Sequence, residues 1–392
     1  MDKLLDRLTP KAPIPQPPPP GIYSSAFPPD VERPTRLHLR LETDGRGILI
    51  VNAATVLHLN PTAAEHIYWM VQGVDAAEAA RTIATRYRVS RRRALRDQRD
   101  LRARILRLAE APDLDPVLYL GMERLEPYGS RSSAPYRLDC ALTYRIRETG
   151  EQDPLARERV DRELSEEEWK QILEKGWTAG IPHVTFTGGE PTLRPDLLAL
   201  IQHAEQLGQV TGLLTNGRKL AEKAYLDALD QTGLDHILLA LVPDDAASEA
   251  GLQRALDSDI FTAVHLNLTP LGETGAREWI HRLSRKGVPA ISLSVAQADE
   301  AGQRLLQVVR DLVAELGMDL LWDLPAPYSE NNPIAMELSE PPKGAGSAWL
   351  YVEPDGDVLP SQSMAPVLGN MLLQDAWADI WARAAASARE AA

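Results

Sequence analysis

The sequence predicts an α/β protein with two folded regions, and three observations lead there. Between residues 136 and 325, strand-like runs alternate with amphipathic helical stretches, the pattern of parallel βα units. Ahead of them, residues 36–110 read as three short strands followed by three helices, a small α+β module. Proline-rich stretches at 10–34 and 111–135 precede and separate the two, as linkers do. At 392 residues there is room for two or three compact domains, and an apolar share of 44% supplies an ordinary globular core.

Taken in order, residues 10–34 hold ten prolines, including Pro17 to Pro20, so 1–35 is expected to be a disordered or polyproline-like arm. Leu37, Leu39 and Leu41 alternate with His38, Arg40 and Glu42, the period of a strand. Gly47 to Val51 and Thr55 to Leu59 read as two more, joined by a tight Asn52-Ala53-Ala54 turn. Asn60 or Thr62 can cap the next helix, with Pro61 in its first turn; Ile67, Met70 and Val71 form its inner face and Gly73 ends it. Further helices cover about 76–87 and 90–109. In the last, Leu95, Leu101, Ile105 and Leu108 face inward and the arginines outward.

Residues 111–135, with Pro112, Pro116, Pro127 and Pro135, read as a linker. Strands are expected at 137–145, 183–187, 210–214, 236–242, 261–268 and 289–295, and helices at 165–178, 195–207, 218–230, 247–257, 274–286 and 299–316. Ser165 with Glu168 forms a capping box ahead of the Trp169, Ile172, Leu173 and Trp177 stripe.

Charge and composition exclude several classes. Net charge is −14, yet residues 81–109 carry eleven Arg against two Asp, a local +9 on a chain whose remainder sums to −23. That segregation points to an anionic partner near the basic helix. Nucleic acid is disfavoured, because the arginines are not interleaved with stacking aromatics. No run approaches the roughly 18 apolar residues of a membrane helix, and the N-terminus lacks the pattern of a signal peptide, so a cytoplasmic location is expected. Cys140 is the one cysteine, which excludes an internal disulfide. His183, His203 and His236 lack metal-ligand spacing, and neither a nucleophile elbow nor a phosphate-binding glycine loop occurs. No catalytic or metal-ligating residue is assigned.

Three resemblances follow from longer motifs. Residues 36–110, with Leu57-His58-Leu59-Asn60-Pro61-Thr62-Ala63-Ala64 and Val71-Gln72-Gly73, resemble the PqqD-like family, a winged-helix-like peptide-recognition module of ribosomal natural-product pathways. The resemblance implies that a leader peptide adds as a strand beside the third strand, against the third helix. Thr55, Val56, Leu57, His58 and Leu59, with Arg92, Arg96 and Arg99, would then receive it.

Leu142-Thr143-Tyr144-Arg145 and Thr187-Gly188-Gly189-Glu190-Pro191-Thr192 resemble radical S-adenosylmethionine (radical SAM) enzymes, which implies a partial (β/α)6 TIM-like barrel over 136–325. In that family three cysteines spaced C-x3-C-x2-C hold a 4Fe–4S cluster; here those positions are Ile146, Gly150 and Asp153. The resemblance further implies that Gly188, Gly189, Glu190 and Pro191, with Thr215, Asn216 and Gly217, line an S-adenosylmethionine site. In place of the usual Ser-Leu-Asp-Gly stands Ala240-Leu241-Val242-Pro243.

Residues 326–392, with Gly344-Ala345-Gly346 and Leu350 to Pro360, resemble a SPASM or twitch extension. Its expected cysteines are replaced by Lys343 and Ser361. No 4Fe–4S cluster is therefore expected. The reading is a pseudoenzyme that binds a leader peptide and presents it to a partner maturase. The alternative is an iron-independent enzyme that binds S-adenosylmethionine or another small molecule at the barrel mouth.

Overall fold

The computed structural model describes residues 15–27, 35–51, 55–110, 133–147, 160, 162–295, 299–321, 344–362, 366–373 and 377–390. The chain forms two compact units, 1–126 and 127–392.

The first unit is an antiparallel sheet in the order β1 (Gly21–Phe27), β2 (Thr35–Leu41), β3 (Gly47–Val51) and β4 (Thr55–Leu59), with helices α1 (Pro61–Val71), α2 (Ala76–Tyr87) and α3 (Arg91–Glu110). Period-2 alternation sends Leu37, Leu39, Leu49, Val51, Leu57 and Leu59 to one face, where they bury against Ile67, Met70, Leu101 and Ile105. Asn60 caps α1 through Ala63 N–H, and Pro61 opens it, as expected. The strand β1 corrects the expected disordered arm over its described part. Seven residues pair with β2, from Gly21↔Leu41 to Phe27↔Thr35, and Tyr23 packs edge-on against Tyr68 with ring centroids 4.8 Å apart. The physical reason is local: the prolines stop at Pro20 and resume at Pro28, leaving a proline-free run able to donate to a ladder.

In the second unit, strands β5 (Arg137–Thr143), β6 (His183–Gly188), β7 (Val210–Thr215), β8 (His236–Ala240), β9 (Phe261–Asn267), β10 (Ala290–Ser294) and β11 (Asp319–Leu320) lie parallel in chain order. Helices α4 (Glu166–Ala179), α5 (Leu197–Leu207), α6 (Lys223–Asp230), α7 (Ala246–Leu256), α8 (Gly272–Arg285) and α9 (Glu300–Glu315) connect them. The six strand–helix units stand where the periodicity placed them, with boundaries moved by a few residues. The capping box of Ser165 and Glu168 starts α4, and left-handed Gly180 ends it. Leu138, Cys140, Leu142, Val184, Phe186 and Leu213 face the helices and bury against Trp169, Ile172 and Ile201.

The expected boundary at 325/326 is not a break in the sheet. Strand β12 (Trp349–Val352) pairs parallel with β5, from Trp349↔Arg137 to Val352↔Cys140, and β13 (Asp357–Leu359) and β14 (Gly369–Asn370) continue antiparallel beyond it. Backbone pairing of β12 with β5 places residues 349–352 in the same sheet as residues 137–140. Helix α10 (Trp377–Glu390) follows.

Candidate functional site

The turn leaving β6 carries Gly188 to Pro191, and its glycines answer to the chain itself. Gly188 has φ +125°, and a Cβ there would lie 2.2 Å from the Thr143 carbonyl oxygen; one on Gly189 would lie 2.3 Å from that of Arg145. Only glycine allows so close a backbone approach. It lets Gly189 N–H donate to Thr143 O at 2.7 Å and Glu190 N–H to Arg145 O at 2.8 Å.

Glu190 is 3% exposed. Its Oε1 accepts from Thr192 N–H at 3.1 Å, the Thr192 hydroxyl at 2.6 Å and the Thr215 hydroxyl at 2.7 Å, while Oε2 accepts from Asn216 N–H at 2.7 Å. Burial raises its carboxyl pKa and the four hydrogen bonds pull it back. The carboxylate thus clasps the turn after β6 to the turn after β7.

That second turn is fixed from its far side as well. Gly217, at φ +77°, follows Asn216, whose Oδ1 accepts from Arg218 N–H at 3.0 Å and whose carbonyl accepts from the Ser248 hydroxyl at 2.7 Å. On α7, a Cβ at Gly251 would stand 1.8 Å from Gly217 O, so the helix rests directly on the turn. The structure therefore brings together all seven residues expected to line a cofactor site. It also shows that the Glu190 carboxylate already accepts from Thr192, Thr215 and Asn216, with the Thr215 hydroxyl among its donors. Ser248 and Gly251 were not foreseen; a serine and a glycine inside a helical stretch give no sequence signal of what rests on them.

The donor set does not fit an iron–sulfur cluster. Ile146, at the first thiolate position, packs as hydrocarbon against Ala141, Tyr144, Tyr351 and Leu359. Gly150 and Asp153 lie outside the described residues; one has no side chain and the other is a hard oxygen donor. Cys140 is fully buried on β5 among the helix-facing core, and burial together with Asp139 raises its thiol pKa, the reverse of what a ligand needs. Ser361, at an auxiliary position, accepts from the Trp349 indole N–H at 3.4 Å, and Lys343 lies outside the described residues. Among the described residues no group of three or more His, Cys, Asp and Glu is placed to hold a metal ion. A cavity of about 580 Å³ lies elsewhere, between α4 and α10, lined by Gln171, Lys175, Met371, Trp377 and Ile380.

In the first unit, β4 pairs with β3 alone among the described residues, which leaves its outer edge as the end of the sheet. Leu57 and Leu59 are 2% and 3% exposed, so their side chains anchor the strand and only their main chain can meet a peptide. Thr55 and Val56 lie on the strand, with side chains outside the described residues. His58 takes the opposite face, and its pKa is lowered by burial and by the charges of Arg40 and Arg46, so it is neutral at pH 7.

At 3.6 residues per turn, Arg92, Arg96 and Arg99 fall opposite the buried Ala94, Gln98 and Ile105, on the exposed side of α3. The N-terminal half of α3 packs on α2 through Ala94 and Leu95, whereas Leu101 and Ile105 pack on the sheet. Arg102 and Arg104 lie between that second pair in sequence and are exposed, in the same half of the helix. The expected trio sits on the other half of the helix.

Residues 140–242 match the family model described as the radical SAM superfamily. Among curated proteins, the chain is 30% identical over 240 residues to the PqqA peptide cyclase of Ruegeria pomeroyi, covering 53% of this chain and 62% of that one. With the PqqA peptide cyclase of Gluconobacter oxydans it shares 40% identity over 102 residues, 26% and 27% of the two chains. It thus spans less than two thirds of the length of either relative. Among solved structures, Streptococcus suis SuiB bound to S-adenosylmethionine shares the fold at a TM-score of 0.58 and 17% identity, covering 88% of this chain and 86% of that one. SuiB bound to its precursor peptide SuiA follows at 0.53 and 15%, with the same coverage. Among the described residues no helix is long and apolar enough to cross a membrane.

Proposed function

We propose that this chain is a cluster-free relative of radical SAM peptide maturases that binds the leader of a ribosomal precursor peptide and presents it to a partner maturase. The observation that carries the reading is the outer edge of β4, a strand held in place by buried Leu57 and Leu59 with its main chain at the end of the sheet. Such an edge adds an extended peptide through backbone hydrogen bonds. The arginines of α3 supply attraction for an acidic one. The relatives' names support a peptide substrate, and the missing thiolates support a role in binding rather than in radical chemistry.

The test is titration of the full chain with a labelled acidic leader peptide from a PqqA-type precursor, beside the same peptide N-methylated at alternate residues. Binding of the first and loss of the second is expected, because methylation removes the donors a strand needs. Equal binding of both refutes strand addition.

A second reading, S-adenosylmethionine or another small molecule bound at the strand ends without iron, is favoured by the retained Gly188–Pro191 and Thr215–Gly217 turns. With three hydrogen bonds already on Glu190 Oε1, a ligand ammonium would have to meet Oε2, which accepts one, or the turn's carbonyls. Calorimetry with S-adenosylmethionine tests it; absence of heat removes it.

A further inference from the structure

We infer that the first unit carries a second peptide-docking site, at the edge of the sheet opposite β4, suited to a proline run that leads into an uncharged extended strand. The chain's own residues 15–27 fill it.

Residues 15–20 read Pro-Gln-Pro-Pro-Pro-Pro, a run that fixes φ near the polyproline II value and leaves few N–H groups to pair. Their burial repeats every three residues: Pro15 and Pro18 are half-buried, while Gln16, Pro17, Pro19 and Pro20 are exposed. Three residues make one polyproline II turn, so one side of the run lies against the protein and the rest faces solvent. Two carbonyls the same distance apart in sequence, Gln16 O and Pro19 O, accept hydrogen bonds. The first is met by Arg86 Nη2 of α2 and the second by the Tyr23 hydroxyl at 2.8 Å.

A buried carboxylate sets Arg86 in place. Glu65 of α1 is 2% exposed; it pairs with Arg86 Nε at 2.8 Å and accepts from the Trp69 indole N–H at 3.3 Å. A buried ion pair contributes little net stability, because desolvating both charges offsets their attraction. What this pair does provide is a guanidinium fixed on Glu65 through one nitrogen and turned to a main-chain carbonyl of the arm through another. Beside it stands an aromatic surface. Tyr68 and Trp69 have ring centroids 4.9 Å apart, and Tyr23 meets Tyr68 edge-on at 4.8 Å. Aromatic surfaces of this kind take up proline-rich segments in folded modules, and a sheet edge takes up an extended strand.

The arm is held as a ligand is held, from outside the core. None of residues 21–26 is buried, and Ser24 and Ala26 are exposed. Across the ladder, Leu37, Leu39 and Leu41 of β2 are 5% exposed or less. β1 therefore depends on main-chain pairing with β2 and on the docked prolines ahead of it, and a strand pairing alone is marginal in water. Residues 15–27 carry no charge, so the site suits a neutral segment, in contrast to the acidic one proposed beside α3.

Two measurements test the inference. In the full chain, Pro17→Gly, Pro18→Ser, Pro19→Gly and Pro20→Ser remove the polyproline run and leave β1 and Arg86 unchanged. Amide hydrogen exchange read by mass spectrometry should show β1 exchanging at least about tenfold faster than in the parent, with β3, paired on both sides, unchanged. Equal exchange of β1 in the two forms overturns the inference. So does acceleration of β1 and β3 together, which would make the prolines part of the fold's core. The second measurement deletes residues 1–27 and titrates the resulting chain with a labelled synthetic peptide of residues 15–27. Binding to the deletion form is expected, at least about tenfold weaker for a peptide with the four proline substitutions, and none to the full chain at the same concentration. A folded deletion form that ignores the peptide, or that binds both peptides alike, overturns the inference. Equal binding to full chain and deletion form does so too, because it puts the peptide on the outer edge of β4. Should circular dichroism show the deletion form unfolded, hydrogen exchange on the full-length pair decides alone.

Discussion

Replacing Glu190 with glutamine separates a ligand-contacting carboxylate from a structural one. In the parent, Oε1 accepts three hydrogen bonds and Oε2 one, linking Thr192, Thr215 and Asn216. A glutamine that turns its oxygen toward the Oε1 position keeps three partners but points its amide at Asn216 N–H, donor against donor. The opposite orientation faces three donors with an NH2 group. A buried N–H left unmet costs about 1–3 kcal/mol, and losing charge assistance in the remaining bonds adds about 1 kcal/mol. Burying a neutral amide in place of a carboxylate returns part of this, so the net destabilisation is about 2–3 kcal/mol. At roughly 2–4 °C per kcal/mol for a unit of this size, Tm of the second unit falls by about 4–12 °C. Calorimetry of the full chain at neutral pH, with and without S-adenosylmethionine, measures it. Thr215→Val shares the partner, so the double variant loses less than the sum of the singles. A Tm within about 1 °C of the parent, or a loss that appears only with ligand present, refutes the clasp.

His265 gives a pH test. Its ring nitrogens lie 3.1 Å from the Ser292 hydroxyl and 3.0 Å from that of Ser294, and burial lowers its pKa to about 4. The folded state therefore binds fewer protons than the unfolded chain between pH 6.5 and 4. This contribution is present above pH 6.5 and lost on acidification, by about 3 kcal/mol at pH 4. Urea unfolding at several pH values should show that loss, and His265→Gln should flatten part of it, His236 supplying a second drop of the same sign. Gly189→Ala puts a Cβ 2.3 Å from a carbonyl oxygen, whereas Gly73→Ala, at φ +68° with open space around it, meets only backbone strain. Thermal melts should place the first near 3 kcal/mol and the second near 1 kcal/mol of loss, each an order-of-magnitude figure. For leader binding, Arg102→Gln with Arg104→Gln should weaken affinity by about tenfold, and the Arg92, Arg96 and Arg99 triple by about threefold or less at physiological salt; equal effects would show that register along α3 is irrelevant.

What could be read in the sequence divides by the range of the interaction. The βα units were legible because each depends on local period, caps and turn residues, as with Ser165, Glu168 and Gly180 around α4. Strand β1 was obscured by composition: ten prolines dominate the window, and the Ile22-Tyr23-Ser24-Ser25-Ala26 run was averaged into them. The pairing of β12 with β5 joins residues more than two hundred apart, and no local signal encodes so distant a register. At the candidate site the motif residues were found, but their partners were not. That Glu190 faces Thr192, Thr215 and Asn216 rather than solvent depends on how two turns meet in space. Likewise, periodicity showed which arginines of α3 point outward but not which half of the helix lies on the sheet.

The pattern of loss and retention has a physical explanation. A radical SAM-type motif joins two sets of residues with different partners. The thiolates answer to a metal, and without the metal nothing in the chain requires sulfur at positions 146, 150 and 153. The glycines and the carboxylate answer to the chain: Gly188 and Gly189 to the carbonyls of Thr143 and Arg145, and Glu190 to the turn after β7. Removing any of them costs folding free energy whether or not a cofactor binds. The two sets need not change together: positions 146, 150 and 153 hold Ile, Gly and Asp here, while the glycines and the carboxylate remain.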